Sequence, residues 1–381
     1  MYKVLHINDA WEGGGAEAVF RDTVKVSQEL GFEHDIFISE GKRSIFSYIF
    51  SIAEYKKLKD KIVLFQPDVI HIHNYYHFLS PSILMSVRKL RKKRKWNGRV
   101  VFTAHDYHLV CPNSGLQYYK GCKSYNFSIN KSDFTFCKKF DRRGYLFSLI
   151  KIAQHLLCYK LLKLNNVIDK IISPSYFLKT IFHQWGITCD IHVIRNPIIN
   201  INDTQPRDNE IALNNRLIKI VFMGRVSEEK GVLEFIEKIQ NSKLEIEFHI
   251  YGVGDLVDFI KKLELRDGFR IIFHGYLNRE KLLKEIRKYD IFVLPSTWYE
   301  NAPLSILEAA HLGLPVVVPD YGGLKEMATL TYAHYTFNHD SENLDNCLLL
   351  AKGKVKKNYI IKPEEFTYDY YKCQIMKVYF K

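Results

Sequence analysis

Two glutamates separated by eight positions are the residues of this sequence best suited to binding a polyol. Glu300 and Glu308 lie in the segment PSTWYENAPLSILEA, and Pro303 between them is favoured at the first position of a helix. A carboxylate accepts two good hydrogen bonds from a diol, so sugar or ribose hydroxyls are the natural ligands. The first amides of that helix, those of Leu304 and Ser305, would suit an anion such as a diphosphate. The alternative interpretation is a solvated loop glutamate and a helix glutamate in a surface ion pair.

A second cluster, FMGRVSEEKG, places an arginine and a lysine after another apolar run. Arg225 follows Gly224, and Lys230 comes five positions later. A forked guanidinium and a flexible ammonium together form a good clamp for a departing diphosphate. The alternative is two solvated cations paired with Glu228 and Glu229.

Residues 13–18 (GGGAEA) fit the dinucleotide pattern G-x-G-x-x-A, but the fit is weak. In a dinucleotide fold the first glycine follows the strand almost at once, whereas residues 8–12 intervene here. The glycines could instead bring backbone amides close to a phosphate or sugar, with Glu17 favourable at the start of a helix.

His105 and Asp106 follow an apolar run and enter a long connection. We expect one of this pair to face the reacting sugar, although a structural histidine is the alternative for His105. His71 and His73 would share a strand face and could suggest a metal, but no carboxylate or cysteine is spaced to complete a site.

Short apolar runs alternate with helical patterns through both halves of the chain, which is typical of βαβ units. The sequence therefore predicts an α/β protein with two Rossmann-like parallel-sheet domains in series, facing a cleft. The polar, period-free segment 196–215 is interpreted as the linker between domains 1–195 and 216–365. In open parallel sheets, ligands bind at the carboxyl ends of the strands. The predicted strands are 2–7, 35–38, 69–72, 100–103, 167–172 and 192–194, then 219–222, 245–251, 270–273, 291–294 and 315–318.

Composition limits the class of protein and of partner. The chain has 381 residues, 47% of them hydrophobic, which excludes a disordered or collagenous chain. The 55 Lys and Arg against 42 Asp and Glu give a net charge of +13, so we expect a polyanionic partner or an anionic surface. No signal peptide or transmembrane helix is expected, and seven cysteines without a CxxC pair favour a reducing, cytoplasmic setting.

A basic run and an amphipathic stretch predict contact with a membrane surface. Residues 88–95 (RKLRKKRK) hold seven cations, each worth on the order of 1 kcal/mol against anionic lipid. The amphipathic stretch 44–59 carries the aromatic residues Phe46, Tyr48 and Phe50. A solvated helix end is the alternative for the basic run.

Taken together, these motifs resemble the retaining glycosyltransferases of family 4 (glycosyl transferases group 1), which have the two-domain GT-B fold. The resemblance spans nearly the whole chain, in the expected order. It implies that Arg225 and Lys230 hold the donor diphosphate, Glu308 the ribose and Glu300 the transferred sugar. The catalytic set so implied is His105, Asp106, Arg225, Lys230 and Glu300. Further donor-binding positions are Gly14, Gly15, Gly224, Asn301, Ala302, Pro303, Leu304, Ser305 and Glu308, and the acceptor side would be formed by Glu17 and His105.

The resemblance also implies a nucleotide-sugar donor used without a metal or other cofactor, and the chain has no Asp-x-Asp motif. It implies that a last helix, 366–381, returns to the first domain. With the basic surface, it predicts a lipid-linked glycan acceptor in cell-surface polysaccharide synthesis, at the inner face of the cytoplasmic membrane. Two alternatives remain open at this point: a nicotinamide-dependent oxidoreductase that uses residues 13–18, and a nucleic-acid binder that uses the basic run.

Overall fold

A computed structural model describes residues 1–39, 44–121, 123–198, 216–339, 343–352, 354 and 360–380. The chain divides into two compact units, the first formed by Met1–Pro197 with Tyr368–Lys381 and the second by Ile198–Thr367. Most of the predicted linker, 196–215, lies outside the described residues.

The first unit is built on a six-stranded, entirely parallel sheet. Its strands lie in the order β2-β1-β3-β4-β7-β8, and buried apolar residues such as Val4, Val69 and Val101 form its central core. Strands buried on both faces in this way are typical of α/β proteins. The elements are β1 (Lys3–Ile7), α1 (Gly15–Glu29), β2 (Glu33–Phe37), α2 (Ile45–Ile49), α3 (Ile52–Phe65), β3 (Val69–Ile72), α4 (Ser82–Lys92), β4 (Arg99–Thr103), β5 (Gln117–Lys120), β6 (Lys123–Asn126), α5 (Tyr145–His155), β7 (Lys170–Ser173), α6 (Tyr176–Gln184) and β8 (Asp190–Val193).

The second unit repeats the architecture with a six-stranded parallel sheet in the order β11-β10-β9-β12-β13-β14. Its core is one cluster of buried apolar side chains contributed by all six strands and the helices on both faces. Its elements are β9 (Ile218–Met223), α7 (Val232–Gln240), β10 (Ile246–Tyr251), α8 (Val257–Ile260), β11 (Phe269–Gly275), α9 (Arg279–Glu285), β12 (Ile291–Val293), α10 (Leu304–His311), β13 (Val316–Pro319), α11 (Gly322–Thr329), β14 (His334–Phe337) and α12 (Leu344–Ala351).

The last helix, α13 (Tyr368–Phe380), packs in the first unit. The hydroxyl of Tyr371 lies 2.7 Å from Oγ1 of Thr23, and the hydroxyl of Tyr379 lies 2.7 Å from Nδ1 of His71. The guanidinium of Arg99 donates to carbonyls in the last turn of the helix. These polar contacts are largely buried, so α13 completes the core of the first unit.

Three elements differ from the sequence prediction. The long connection 104–143 contains the antiparallel hairpin of β5 and β6, which the sequence did not predict because each strand has only four residues and no apolar alternation. The helical pattern that runs from residue 145 to residue 164 in the sequence forms α5 only as far as His155 and continues as a π-helical segment at Leu156–Leu161. The edge strand β14 was not predicted, because its residues His334–Phe337 are only partly buried and carry a weak apolar pattern.

Candidate functional site

In the second unit, the loops that follow β9 and β12 are locked together at the carboxyl ends of these neighbouring strands. The amide of Thr297 donates to the carbonyl of Glu229 at 3.0 Å. Gly231 has a φ of +65°, and a Cβ built there would lie 2.0 Å from the carbonyl oxygen of Pro295. Only glycine permits this approach, which brings Lys230 against the loop that carries Glu300.

Glu300 is 7% exposed and is held by two donors. The ammonium of Lys230 lies 2.5 Å from its Oε1, and Oγ of Ser296 donates to the same oxygen at 2.7 Å. Burial alone would raise the pKa of Glu300, but the charge of Lys230 and these hydrogen bonds hold it below its ordinary value. Glu300 is therefore an ionised acceptor.

The segment after β13 supports the Glu300 loop from the other side. The amide of Gly323 donates to the carbonyl of Glu300 at 2.9 Å, and the hydroxyl of Tyr321 donates to the carbonyl of Ser296. A Cβ at Gly323 would lie 1.9 Å from the carbonyl oxygen of Asn301. Adjacent loops at one sheet edge thus fix the position of the carboxylate.

Glu308 lies in α10, is 8% exposed and forms an ion pair with Arg279 at the start of α9. Sequence reasoning missed Arg279, because nothing in the spacing of an arginine 29 positions before Glu308 indicates that the two meet. The pair compensates the charge of a carboxylate that would otherwise be buried alone.

Arg225 is exposed, unlike Lys230, Glu300 and Glu308. Its side chain is 74% exposed, and its guanidinium lies 3.9 Å from the carboxylate of Glu229. Gly224 before it has a φ of +153°. The backbone there is tightly packed, since a Cβ at Gly252 would lie 1.8 Å from the carbonyl oxygen of Gly224.

The first turn of α10 differs by one residue from the prediction. The helix begins at Leu304, and Pro303 precedes it as the N-cap, because its ψ of 112° is extended rather than helical. The predicted positions Asn301 and Ala302 lie in the loop before it. The amides of Leu304 and Ser305 are in the first turn, where a helix leaves its N–H groups without intrahelical acceptors.

In the first unit, residues 13–18 lie at the start of α1. The amide of Gly14 donates to the carboxylate of Glu17 at 2.8 Å, and α1 begins at Gly15. Glu17 therefore acts locally at the positive end of the helix, as its position indicated.

His105 and Asp106 lie just beyond β4. Nε2 of His105 is 3.0 Å from Nδ1 of His73, and burial lowers the pKa of His105 to about 4. Burial raises the pKa of Asp106 to about 7, although the amide of His108 donates to it at 2.9 Å. His105 is therefore neutral at physiological pH, whereas Asp106 titrates close to it.

His71 and His73 are both buried, and each forms hydrogen bonds with other side chains of the first unit. His71 lies between the hydroxyls of Thr103 and Tyr379, each at 2.7 Å. Among the residues that the structure describes, no group of three or more His, Cys, Asp or Glu is arranged to hold a metal ion. Cys122, one of the seven cysteines, is not included here, because it lies outside the described residues.

The two stretches predicted to contact a membrane, 44–59 and 88–95, each expose only some of the side chains on which the prediction rests. In the stretch 44–59, Phe46 is 85% exposed, but Tyr48 is buried and Phe50 is only partly exposed, so the predicted aromatic face is reduced mainly to Phe46. In the basic run 88–95, however, Arg88 donates to the carbonyl of Leu162, and Arg91 is paired with Asp169. These two arginines therefore hold the fold together, and the exposed cations are Lys89, Lys92, Lys93, Arg94 and Lys95.

Helix α5 exposes an apolar row that sequence reasoning missed. Leu146 and Leu149 are 66% and 61% exposed, and Leu156 continues the same face at helical spacing. Residues 142–166 hold five cations and no acidic residue, but Arg143 and Lys151 are paired with Asp141 just before this span. Throughout the described ranges, no helix is both long and apolar enough to span a membrane.

Two family models match the chain, one in each half. Residues 203–347 match the model described as Glycosyl transferases group 1, and residues 13–199 match the model described as Glycosyltransferase Family 4. The two Rossmann-like parallel-sheet units have the GT-B fold. The chain belongs to the family 4 glycosyltransferases, which confirms the resemblance. Neither model describes an oxidoreductase or a nucleic-acid-binding protein.

Individual relatives agree with this assignment. An uncharacterized 42.6 kDa protein in the cps region of Klebsiella pneumoniae is 26% identical over 333 residues, which are 87% of this chain and 76% of that protein. The Escherichia coli UDP-Gal:alpha-D-GlcNAc-diphosphoundecaprenol alpha-1,3-galactosyltransferase is 30% identical over 135 residues, 33% of this chain and 34% of that enzyme. The lipopolysaccharide outer core galactosyltransferase WaaB in its apo form has a TM-score of 0.65 at 16% identity, covering 100% of this chain and 99% of that one, and so shares the fold.

Proposed function

We propose that this glycosyltransferase moves a sugar from a nucleotide-diphosphate donor to a glycan acceptor, with retention of configuration and without a bound metal. The observation that carries the proposal is the contact of Lys230 and Ser296 with buried Glu300, beside the first turn of α10. A fixed carboxylate, a cation and helix N-terminal amides are what a sugar diphosphate requires.

The donor diphosphate would bind to Arg225, Lys230 and the amides of Leu304 and Ser305. An ammonium has three N–H donors, so Lys230 can retain Glu300 with one and bind phosphate oxygens with the others. Arg225, which is exposed, can close on the phosphates with its forked guanidinium. These charges would take the place of a metal ion.

The two glutamates would bind hydroxyls. Glu300 accepts hydroxyl hydrogens of the transferred sugar, and its ionised state makes these hydrogen bonds strong. Glu308 uses one oxygen for Arg279 and has a second for the ribose.

In the reaction, the bond between the anomeric carbon and the phosphate oxygen breaks, and the electron pair leaves with the nucleoside diphosphate. The acceptor hydroxyl attacks from the same face and forms the new glycosidic bond. A phosphate oxygen takes its proton. His105 and Asp106 would contact the sugar near the reacting carbon, and the loop of Gly14, Gly15 and Glu17 would close on donor and acceptor.

The acceptor is proposed to be a lipid-linked glycan of a cell-surface polysaccharide such as O-antigen or capsule. A relative encoded in a cps region and one that acts on a diphosphoundecaprenol acceptor support this choice. Such an acceptor lies at the cytoplasmic face of the membrane, where the stretch 44–59, the basic run 88–95 and the row on α5 would contact anionic lipid.

Purified protein incubated with UDP-, GDP-, ADP- and dTDP-sugars tests the donor class. We expect one donor to be hydrolysed or transferred in the presence of EDTA. Glu308→Gln should weaken binding of the matching nucleoside diphosphate, whereas Glu264→Gln, at an exposed glutamate of the same unit, should not. Turnover abolished by EDTA, or equal nucleotide binding by both variants, would contradict the proposal.

A further inference from the structure

His73 and His105 lie just beyond the adjacent strands β3 and β4, and their side chains are in contact. β3 and β4 run in parallel, with Ile72 opposite Phe102, so the residues just beyond these strands emerge side by side. Nδ1 of His73 lies 3.0 Å from Nε2 of His105, the ring centroids are 5.2 Å apart and the ring planes are 25° from parallel, so the two rings meet edge to edge. The contact is a hydrogen bond between two imidazoles.

The surroundings of His73 leave it no other partner among the described residues. The side chain is fully buried, and its second nitrogen, Nε2, has no hydrogen-bond partner there. The ring packs against Phe20 at 5.2 Å and against His71 at 4.7 Å. His71 cannot turn towards it without breaking its own hydrogen bonds to Thr103 and Tyr379.

Both rings are neutral at physiological pH, because burial lowers the pKa of each. Each neutral ring has one N–H and one bare nitrogen. Because the two facing nitrogens form a hydrogen bond, one of them is the donor and the other is the acceptor. If His105 donated it, the hydrogen of His73 would have to lie on Nε2, as a buried donor without an acceptor. If His73 donates from Nδ1, its Nε2 is only a bare acceptor, and an unsatisfied buried acceptor is more readily tolerated than an unsatisfied N–H.

We propose that His73 is a positioning residue that donates from Nδ1 to Nε2 of His105 and so fixes His105 in the tautomer protonated at Nδ1. His105 is then held as a hydrogen-bond donor at Nδ1, with one ring orientation. The consequence for sugar transfer rests on the proposed function of His105, but the tautomer itself does not.

Nitrogen NMR of the full-length protein labelled with 15N-histidine tests the tautomer directly. The His105 ring is assigned from the signals lost in His105→Gln. We expect a pyrrole-type shift for Nδ1 and a pyridine-type shift for Nε2. A pyrrole-type Nε2 at His105 would overturn the proposal, whatever the enzymatic results.

Two substitutions separate positioning from packing. His73→Asn keeps an N–H donor close to the position of Nδ1, and we expect it to preserve the His105 spectrum. His73→Leu keeps the bulk but removes the donor, and should give the reversed or a mixed tautomer. If His73→Leu fails to fold, the spectra of the wild type and of His73→Asn still decide; an unchanged spectrum in a folded His73→Leu would refute the assignment.

Turnover of UDP-galactose and binding of UDP provide the functional readout. Loss of one hydrogen bond that positions a ring should lower kcat/KM in His73→Leu about tenfold, with His73→Asn within about threefold of wild type. Binding of UDP, which lacks the sugar, should be equal in all three. If kcat/KM of His73→Leu equals that of wild type, the contact between His73 and His105 has no role in sugar transfer. If the wild type uses none of the UDP-, GDP-, ADP- and dTDP-sugars, UDP-galactose included, the proposed function fails and the tautomer result still stands.

Discussion

The ammonium of Lys230 lies 2.5 Å from Oε1 of Glu300, although 70 positions separate the two residues. Each follows a strand, β9 and β12, and these strands are neighbours in the parallel sheet. The Lys230 and Glu300 side chains are 21% and 9% exposed. The sheet therefore brings together a largely buried pair in which each charge depends on the other.

We expect the single variants Lys230→Met and Glu300→Gln to lower the stability of the second unit. Each leaves a largely buried polar group without its partner, which costs about 1–3 kcal/mol. The double variant should lose less than the sum, because no charge is left alone. Urea unfolding, with hydrogen exchange of peptides from β9 and β12, measures the cycle. Additive losses would show that the two charges are not coupled.

The same pair predicts how stability depends on acidity. The folded pKa of Glu300 lies below its unfolded value, so its contribution is present above the unfolded pKa and is lost as the pH falls through the folded one. As the pH is lowered from about 6 to about 2, across the ordinary glutamate pKa of about 4.3, the free energy of unfolding of the second unit should therefore fall more steeply in wild type than in Glu300→Gln. Parallel curves would contradict the assignment.

Asp106 predicts the opposite dependence in the first unit. Burial raises its folded pKa to about 7, so the folded state binds more protons than the unfolded one from about pH 4 to 7, and stability falls over that range. Asp106→Asn removes this penalty. We expect a gain of about 1 kcal/mol at pH 8, or about 2–4 °C in Tm, and little gain at pH 4. Thermal unfolding at both pH values checks it, and an equal gain at both would show that the gain does not come from titration.

The sequence predicted two clusters, Glu300 with Glu308 and Arg225 with Lys230. It placed both at the carboxyl ends of strands, which lie together at one end of a parallel sheet. It could not predict which cation meets which carboxylate. Arg279 reaches Glu308 from a different helix, and such a contact depends on side-chain packing rather than on periodicity. Likewise, alternation placed His71 and His73 on one face, but only the register of β3 with β4 brings His73 to His105.

We expect Arg279 to strengthen the binding of the nucleotide through its ion pair with Glu308. Without it, Glu308 would be a buried carboxylate with no counter-ion, close to the proposed diphosphate site. We expect Arg279→Ala to weaken UDP binding about tenfold, or about 1.4 kcal/mol, measured by calorimetry. Arg287→Ala, at an arginine in the segment that follows α9, is the matched control. Tighter binding by Arg279→Ala would instead mean that Arg279 competes with the nucleotide for Glu308.

Attachment to membranes should depend on the apolar row of α5 as well as on the basic run. Leu146→Ser with Leu149→Ser removes two exposed leucines while leaving in place the neighbouring cations Arg143 and Lys151, which are paired with Asp141. We expect this double variant to reduce flotation with anionic vesicles at least about tenfold, because each leucine that becomes buried in the membrane contributes about 1.5–3 kcal/mol. The same change at Leu349 and Leu350, which are similarly exposed on the second unit, should have no effect.

The basic run should act through charge and therefore respond to salt. Lys92→Ala with Lys93→Ala should weaken binding to anionic vesicles by about 1 kcal/mol per cation at low salt, and little at high salt, because exposed charges are screened. Arg91→Ala should act differently: it breaks the ion pair with Asp169 and lowers Tm rather than lipid affinity alone. Binding to neutral vesicles as strong as to anionic ones would show that the apolar row alone carries the attachment and that these cations serve the fold and solubility.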